Sequence, residues 1–164
     1  MSTDKKGIVF ILEDDIGTLS LYEKLCNIGE FDYVSATDLQ TAEALFTLHT
    51  PDIAILDMKI GEDISAGLKC VEWIDPSRCI IVSGYVSGSL VDRVGKLGIS
   101  TFITKPFKMT FLLDVMRRKM IESKLLTELK KWEELNGNRQ KVIGELVNLV
   151  NSRVGFQQNG GMHV

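Results

Sequence analysis

The chain has 164 residues, of which 45% are hydrophobic and 25% charged, with a formal net charge of -3. That is enough for one ordinary domain and a small further element, and it excludes a disordered or fibrous chain and a second enzyme domain. The slight negative charge gives no reason to expect nucleic acid as a partner. The longest apolar runs, such as Gly7 to Leu12 and Cys79 to Val82, fall far short of the ~20 residues of a membrane-spanning helix.

The first residues, Met1-Ser2-Thr3-Asp4-Lys5-Lys6, lead straight into a strand-like run without a secretory pattern, so the cytoplasm is the expected location. Cys26, Cys70 and Cys79 form no CxxC pair and, with only His49 and His163, no zinc constellation; they read as buried small hydrophobes.

In chain order, five strands are expected at Ile8–Leu12, Tyr33–Ser35, Ile53–Leu56, Ile80–Val82 and Thr101–Ile103, all rich in β-branched or aromatic residues. The first, third and fourth are apolar throughout, as strands covered on both faces are. Helical periodicity lies between them at Leu19–Ile28, Leu39–Leu48, Leu68–Ile74 and Leu90–Leu97, with Asp38 an N-cap and Gly98 a stop. This alternation predicts an α/β fold, a (βα)5 doubly wound parallel five-stranded sheet, whose ligands gather outside the carboxyl ends of the strands.

Residues 108–135 contain neither proline nor glycine and carry apolar residues at helical spacing, among them Leu125, Leu129 and Trp132. A helix of that length runs ~40 Å at 1.5 Å per residue, so part of it is expected to project beyond the domain. Asn136-Gly137-Asn138 is expected to break it, and Val142, Ile143, Leu146, Leu149 and Val150 form a second amphipathic stripe. The expected division is a domain over 1–121, a helical extension over 122–155 and a flexible tail over 156–164. The extension is long enough for a hairpin, a dimerising helix or a docking segment, and too short for a winged-helix output domain.

Strand one ends in Glu13-Asp14-Asp15, strand three in Asp57, strand four in Ser83-Gly84 and strand five in Thr104-Lys105-Pro106. On the expected sheet all four clusters share one edge. Carboxylates crowded together raise one another's pKa, a cost that a divalent cation removes. Magnesium suits such oxygen ligands and bridges carboxylates to phosphate. Asp57 could then attack phosphorus to give an acyl phosphate, with Lys105 and Ser83 as the donors that meet the phosphoryl oxygens.

These residues carry a resemblance. Phe10-Ile11-Leu12-Glu13-Asp14-Asp15, Ile55-Leu56-Asp57-Met58, Ile81-Val82-Ser83-Gly84-Tyr85 and Phe102-Ile103-Thr104-Lys105-Pro106-Phe107 together resemble the receiver domain of bacterial response regulators over roughly residues 6–121. The resemblance implies a flavodoxin-like fold with Asp57 as phosphoacceptor, and Mg2+ held by Glu13, Asp14, Asp57 and the backbone carbonyl of Lys59. The sequence leaves open whether Glu13 or Asp15 lies nearer the metal.

The resemblance further implies that Ser83 and Lys105 bind the phosphoryl group, that Ser83 and Phe102 form the switch, and that the Lys105–Pro106 bond is cis. The bland reading of Phe102 is a fixed core ring. The implied function is a phosphorylation-dependent switch of a two-component phosphorelay rather than an enzyme. Its partner would be a sensor histidine kinase or a phosphotransfer protein, with a homodimer through the C-terminal helices a further candidate.

Two other readings compete: a phosphorylation-independent partner-binding module, and an aspartate-nucleophile phosphohydrolase. The latter generally needs an acid two positions after its nucleophile, where this chain has Lys59. The chain departs from the family pattern after Asp57, where Met58 to Gly67 replaces the usual proline and Asp-Gly pair.

Overall fold

The computed structural model describes residues 6–155, with side chains described as far as residue 149; the expected tail over 156–164 lies outside the described residues. Five parallel strands, β1 (Ile8–Leu12), β2 (Asp32–Ala36), β3 (Ile53–Asp57), β4 (Cys79–Ser83) and β5 (Thr101–Thr104), form one sheet in the order β2-β1-β3-β4-β5. The helices are α1 (Ile16–Gly29), α2 (Leu39–Leu48), α3 (Ala66–Lys69), α4 (Gly88–Lys96) and α5 (Met109–Gly155).

Strand residues alternate between the two faces, so β1 sends Val9 and Ile11 into one apolar cluster and Phe10 and Leu12 into the other. The first cluster holds Leu19, Tyr22 and Leu25 of α1 with Leu112, Leu113 and Met116 of α5. The second holds Ala42 of α2, Leu68 of α3 and Leu90 and Val94 of α4. Covered on both faces, β3 and β4 are buried at every position, which is why their sequences are continuous apolar runs rather than alternating ones.

Local chemistry sets the helix ends. The Asp15, Asp38 and Ser87 side chains accept hydrogen bonds from Thr18 N, Thr41 N and Leu90 N and start α1, α2 and α4. Gly98 follows α4 with φ +82°, a conformation that favours glycine and releases the chain toward β5.

Two expectations are corrected. The third helix, expected over 68–74, is a single α-turn at Ala66–Lys69 that tightens into a 3-10 turn at Cys70–Glu72. Trp73 beyond it packs on Phe46, ring centroids 5.6 Å apart, and Phe46 in turn on Phe10 at 4.1 Å. Pro76 opens another 3-10 turn that delivers the chain to β4, so packing and proline leave no room for more helix.

The expected break at Asn136-Gly137-Asn138 is absent, because α5 runs through all three residues. A helical glycine costs about 1 kcal/mol against alanine, which the long helix formers on either side absorb without a proline to interrupt them. Residues Met109–Gly155 therefore contain no turn for a hairpin.

The chain divides into two compact units, Met1–Lys124 and Leu125–Val164. The first contains the sheet and both apolar clusters. Within it Ser123 Oγ donates to the Asp52 carbonyl at 2.7 Å, and Asp52 Oδ2 accepts from Ile8 N at 2.8 Å, fastening the first unit's part of α5 to the start of the sheet. Among the described residues no helix is long and apolar enough to cross a membrane.

Candidate functional site

Strand register assembles the site. Leu12 pairs with Leu56, Asp57 with Val82 and Ser83 with Thr104, so Glu13, Asp57, Ser83 and Lys105 emerge at one edge of the sheet, outside the carboxyl ends of the strands where ligands gather. Lys105 N closes the edge by donating to the Ser83 carbonyl at 2.8 Å, and the Lys105–Pro106 peptide is cis.

Lys105 Nζ stands 2.6 Å from Asp57 Oδ2 and 2.9 Å from Glu13 Oε2. Asp57 Oδ1 accepts from Lys59 N at 3.0 Å and Glu13 Oε1 from Asp15 N at 3.2 Å. Burial raises the Glu13 carboxyl above its ordinary value, a rise to which the neighbouring Asp57 charge adds and against which Lys105 works. Burial pulls the Lys105 ammonium down, but its hydrogen bonds to Asp57 and Glu13 outweigh that and raise it.

The other acidic residues do different work. Asp15 caps α1 through Thr18, and those bonds hold its carboxyl below the ordinary range. Asp14 Oδ2 accepts from Gly61 N at 2.7 Å and so tethers the loop after β3. That loop is closed on itself by paired backbone bonds of 3.0 Å between Ile60 and Asp63 and fastened by the Asp63–Lys69 ion pair.

Ser83 Oγ donates to the Tyr85 carbonyl at 2.7 Å and accepts from Tyr85 N at 3.1 Å, so its hydroxyl is committed to the β4–α4 loop. Phe102 is partly buried and packs on the cluster beneath α2, α3 and α4. Tyr22, unmarked by any local sequence signal, buries a hydroxyl that has no hydrogen-bond partner among the described residues. Burial pushes its pKa up to about 12, with Lys105, Glu13 and Asp57 near enough to act on it.

Glu13, Asp14 and Asp57 offer the oxygen donors that a hard divalent cation prefers, and the donor set fits such an ion in kind. As the side chains stand, Lys105 Nζ neutralises Glu13 and Asp57 while Asp14 faces Gly61 N, and no metal-ready group of three carboxylates is formed among the described residues.

Lys105→Met tests this electrostatic account. It leaves Glu13 and Asp57 buried without their counter-charge, and at neutral pH unfolding stability should fall by about 1–3 kcal/mol, less than for a fully buried pair because Lys105 is 29% exposed. The native Lys105 contribution is fully present below the ordinary 10.5 and disappears only as pH rises through its raised folded value. Glu13, raised when folded, is a liability above its ordinary 4.5, so the variant's deficit should shrink as pH falls toward that value. Urea titrations at several pH values measure it, and a deficit that stays constant with pH contradicts the account.

The sequence profile of the response regulator receiver domain matches residues 9–117. The chain is 29% identical over 112 residues to sporulation initiation phosphotransferase F of Bacillus subtilis (strain 168), a match that spans 67% of this chain and 90% of that protein. Among solved structures, a CheY-like response regulator receiver domain from Methanospirillum hungatei JF-1 superposes with a TM-score of 0.64 at 21% identity, covering 71% of this chain and 95% of that one. NtrX from Brucella abortus gives a TM-score of 0.66 at 22% identity, covering 76% of this chain and 29% of that chain. These structural likenesses show the fold, and the profile, matching well over half of the chain, shows that it belongs to the response regulator receiver domain family of two-component systems.

Proposed function

We propose that the chain is a phosphorylation-dependent signalling switch in which Asp57 accepts a phosphoryl group from a sensor histidine kinase or a phosphotransfer protein. The observation that carries this reading is the buried Asp57 carboxylate at the end of β3 with Lys105 Nζ 2.6 Å away. An Asp57 oxygen attacks phosphorus, the phosphorus–nitrogen bond of the donor phosphohistidine breaks, and the leaving imidazole takes up a proton. Glu13, Asp14, Asp57 and the Lys59 carbonyl would hold Mg2+, which would supply neutralising charge to the phosphoryl oxygens.

Lys105 follows the new negative charge from Asp57 onto the phosphoryl group. Ser83 exchanges its two bonds to the Tyr85 backbone for a charge-assisted bond to phosphate, which is roughly twice as strong as a neutral one. Because the Tyr85 backbone groups released at this exposed residue bond to water instead, the charge-assisted bond biases the β4–α4 loop toward a second arrangement; without such a bias the switch would have no driving force. Movement of the Ser83 hydroxyl opens space toward β5, into which the Phe102 ring turns.

Lys59 at the position where phosphohydrolases keep an acid supports a switch rather than a turnover enzyme. The test is incubation with acetyl phosphate, with and without Mg2+, followed by intact mass and borohydride trapping. The expected result is one phosphoryl group, gained only with Mg2+ and mapped to Asp57. Mg2+ binding without any gain points instead to a phosphorylation-independent module, and a gain mapped elsewhere displaces Asp57 from the role.

A further inference from the structure

Within the second unit, α5 leaves ten large apolar side chains in water between Leu125 and Leu149, from Leu126 at 39% exposed to Leu135 at 68%. Their placement is ordered. Core positions spaced alternately by four and three residues fall on Leu125, Leu129, Trp132, Asn136, Arg139, Ile143 and Leu146, the heptad seam of a coiled coil. The other five apolar residues, Leu126, Leu135, Val142, Val147 and Leu149, flank that seam. The three outward positions of each heptad hold no large hydrophobic residue and include Lys130, Lys131, Glu134, Lys141 and Glu145.

We infer that this face is covered by the same face of a second copy of the chain, running antiparallel and centred between Asn136 and Arg139. This assignment is independent of phosphorylation at Asp57. In that register Leu129 meets Leu146 of the other copy, Trp132 meets Ile143, and Asn136 meets Arg139, so the only polar core positions satisfy each other. Along the flanks Leu126 meets Val147 and Leu135 meets Val142. A parallel pair would instead stack Arg139 on Arg139 and set Glu128 against Glu133, each an unfavourable like-charge contact.

Charge favours the same orientation. Residues 125–136 carry three acids and two bases, whereas residues 137–149 carry one acid and two bases, so an antiparallel pair sets a net negative half against a net positive one. Opposed helix dipoles add to this. Area is sufficient too. Burying a large apolar side chain removes roughly 60–120 Å2 at about 25 cal/mol per Å2. The exposed set therefore offers on the order of 600–1,200 Å2 per copy, which brackets the roughly 800 Å2 per partner of a stable interface.

The test uses the full chain labelled at one introduced cysteine, Asn148→Cys. Burial pushes the native Cys26, Cys70 and Cys79 thiols up to about 12, so the exposed thiol takes the spin label selectively. Sedimentation equilibrium should give twice the chain mass over a wide dilution series. Pulsed spin-label spectroscopy should place the two labels about 30 Å apart along the helices, from 21 residues of offset at 1.5 Å each. Ile143→Asp should halve the mass while leaving far-UV circular dichroism and phosphoryl uptake intact. A monomer, an assembly larger than two, labels with no axial offset, or a dimer that survives Ile143→Asp each overturns the inference.

Discussion

Asp57→Asn should abolish phosphoryl uptake: with acetyl phosphate and Mg2+ its intact mass stays unchanged while the native chain gains one phosphoryl group. The substitution is close to isosteric. Its amide oxygen can still accept the 3.0 Å bond from Lys59 N, so the β3–α3 loop keeps its anchor. What disappears is the nucleophile, since an amide has neither the charge nor the free lone pair density of a carboxylate. Lys105, deprived of its 2.6 Å partner, retains Glu13 at 2.9 Å, so the variant should fold and its far-UV spectrum should match the native one. A phosphoryl gain that persists in the folded variant removes Asp57 from the mechanism.

Gly67→Ala should have the second largest effect, and it acts on the site through packing. A Cβ at residue 67 would lie 2.5 Å from the Asp57 carbonyl oxygen and 3.1 Å from its carbonyl carbon. Both are backbone atoms of a strand end that cannot move freely, because Met58 N is bonded to the Val82 carbonyl at 3.1 Å. Either α3 or the end of β3 must shift. Overpacking of this kind costs about 1–3 kcal/mol, and displacement of a reacting group by about 1 Å slows reaction by up to a hundredfold.

The expected outcome for Gly67→Ala is a lower urea midpoint together with phosphoryl uptake slowed by roughly ten- to a hundredfold. Gly95→Ala is the control, since nothing lies within 4 Å of a Cβ there. It sits inside α4 and should stabilise by about 0.5–1 kcal/mol, with uptake unchanged. Equal behaviour of the two variants would refute the packing account.

The sequence made the fold legible because its signals are local. Continuous apolar runs at Ile53–Leu56 and Ile80–Val82, short and rich in β-branched residues, read as strands covered on both faces, and Asp38 and Gly98 mark helix ends through a side-chain cap and a positive φ. The same reasoning failed where the outcome depends on distant partners. The third helix shortened because Trp73 is held by Phe46 across the fold; at Asn136-Gly137-Asn138 the misreading was local instead, since the three residues together cost only about 2 kcal/mol against alanine.

The candidate site divides in the same way. The residue types and their positions at strand ends are written in the chain, as is the family they resemble, because parallel strands with crossover helices put every strand's carboxyl end on one edge. Which carboxylate does which job is not. Glu13 and Asp15 both bring a carboxylate to the end of β1, yet Asp15 turns outward to cap α1 while Glu13 is buried against Lys105. Glu13 and Lys105 stand 92 positions apart in the chain, and the sequence carries no local signal of that contact, nor of the Gly67 approach to Asp57 or the buried Tyr22 hydroxyl. Side-chain direction at a strand end is fixed by what packs around it, and only the tertiary structure decides that.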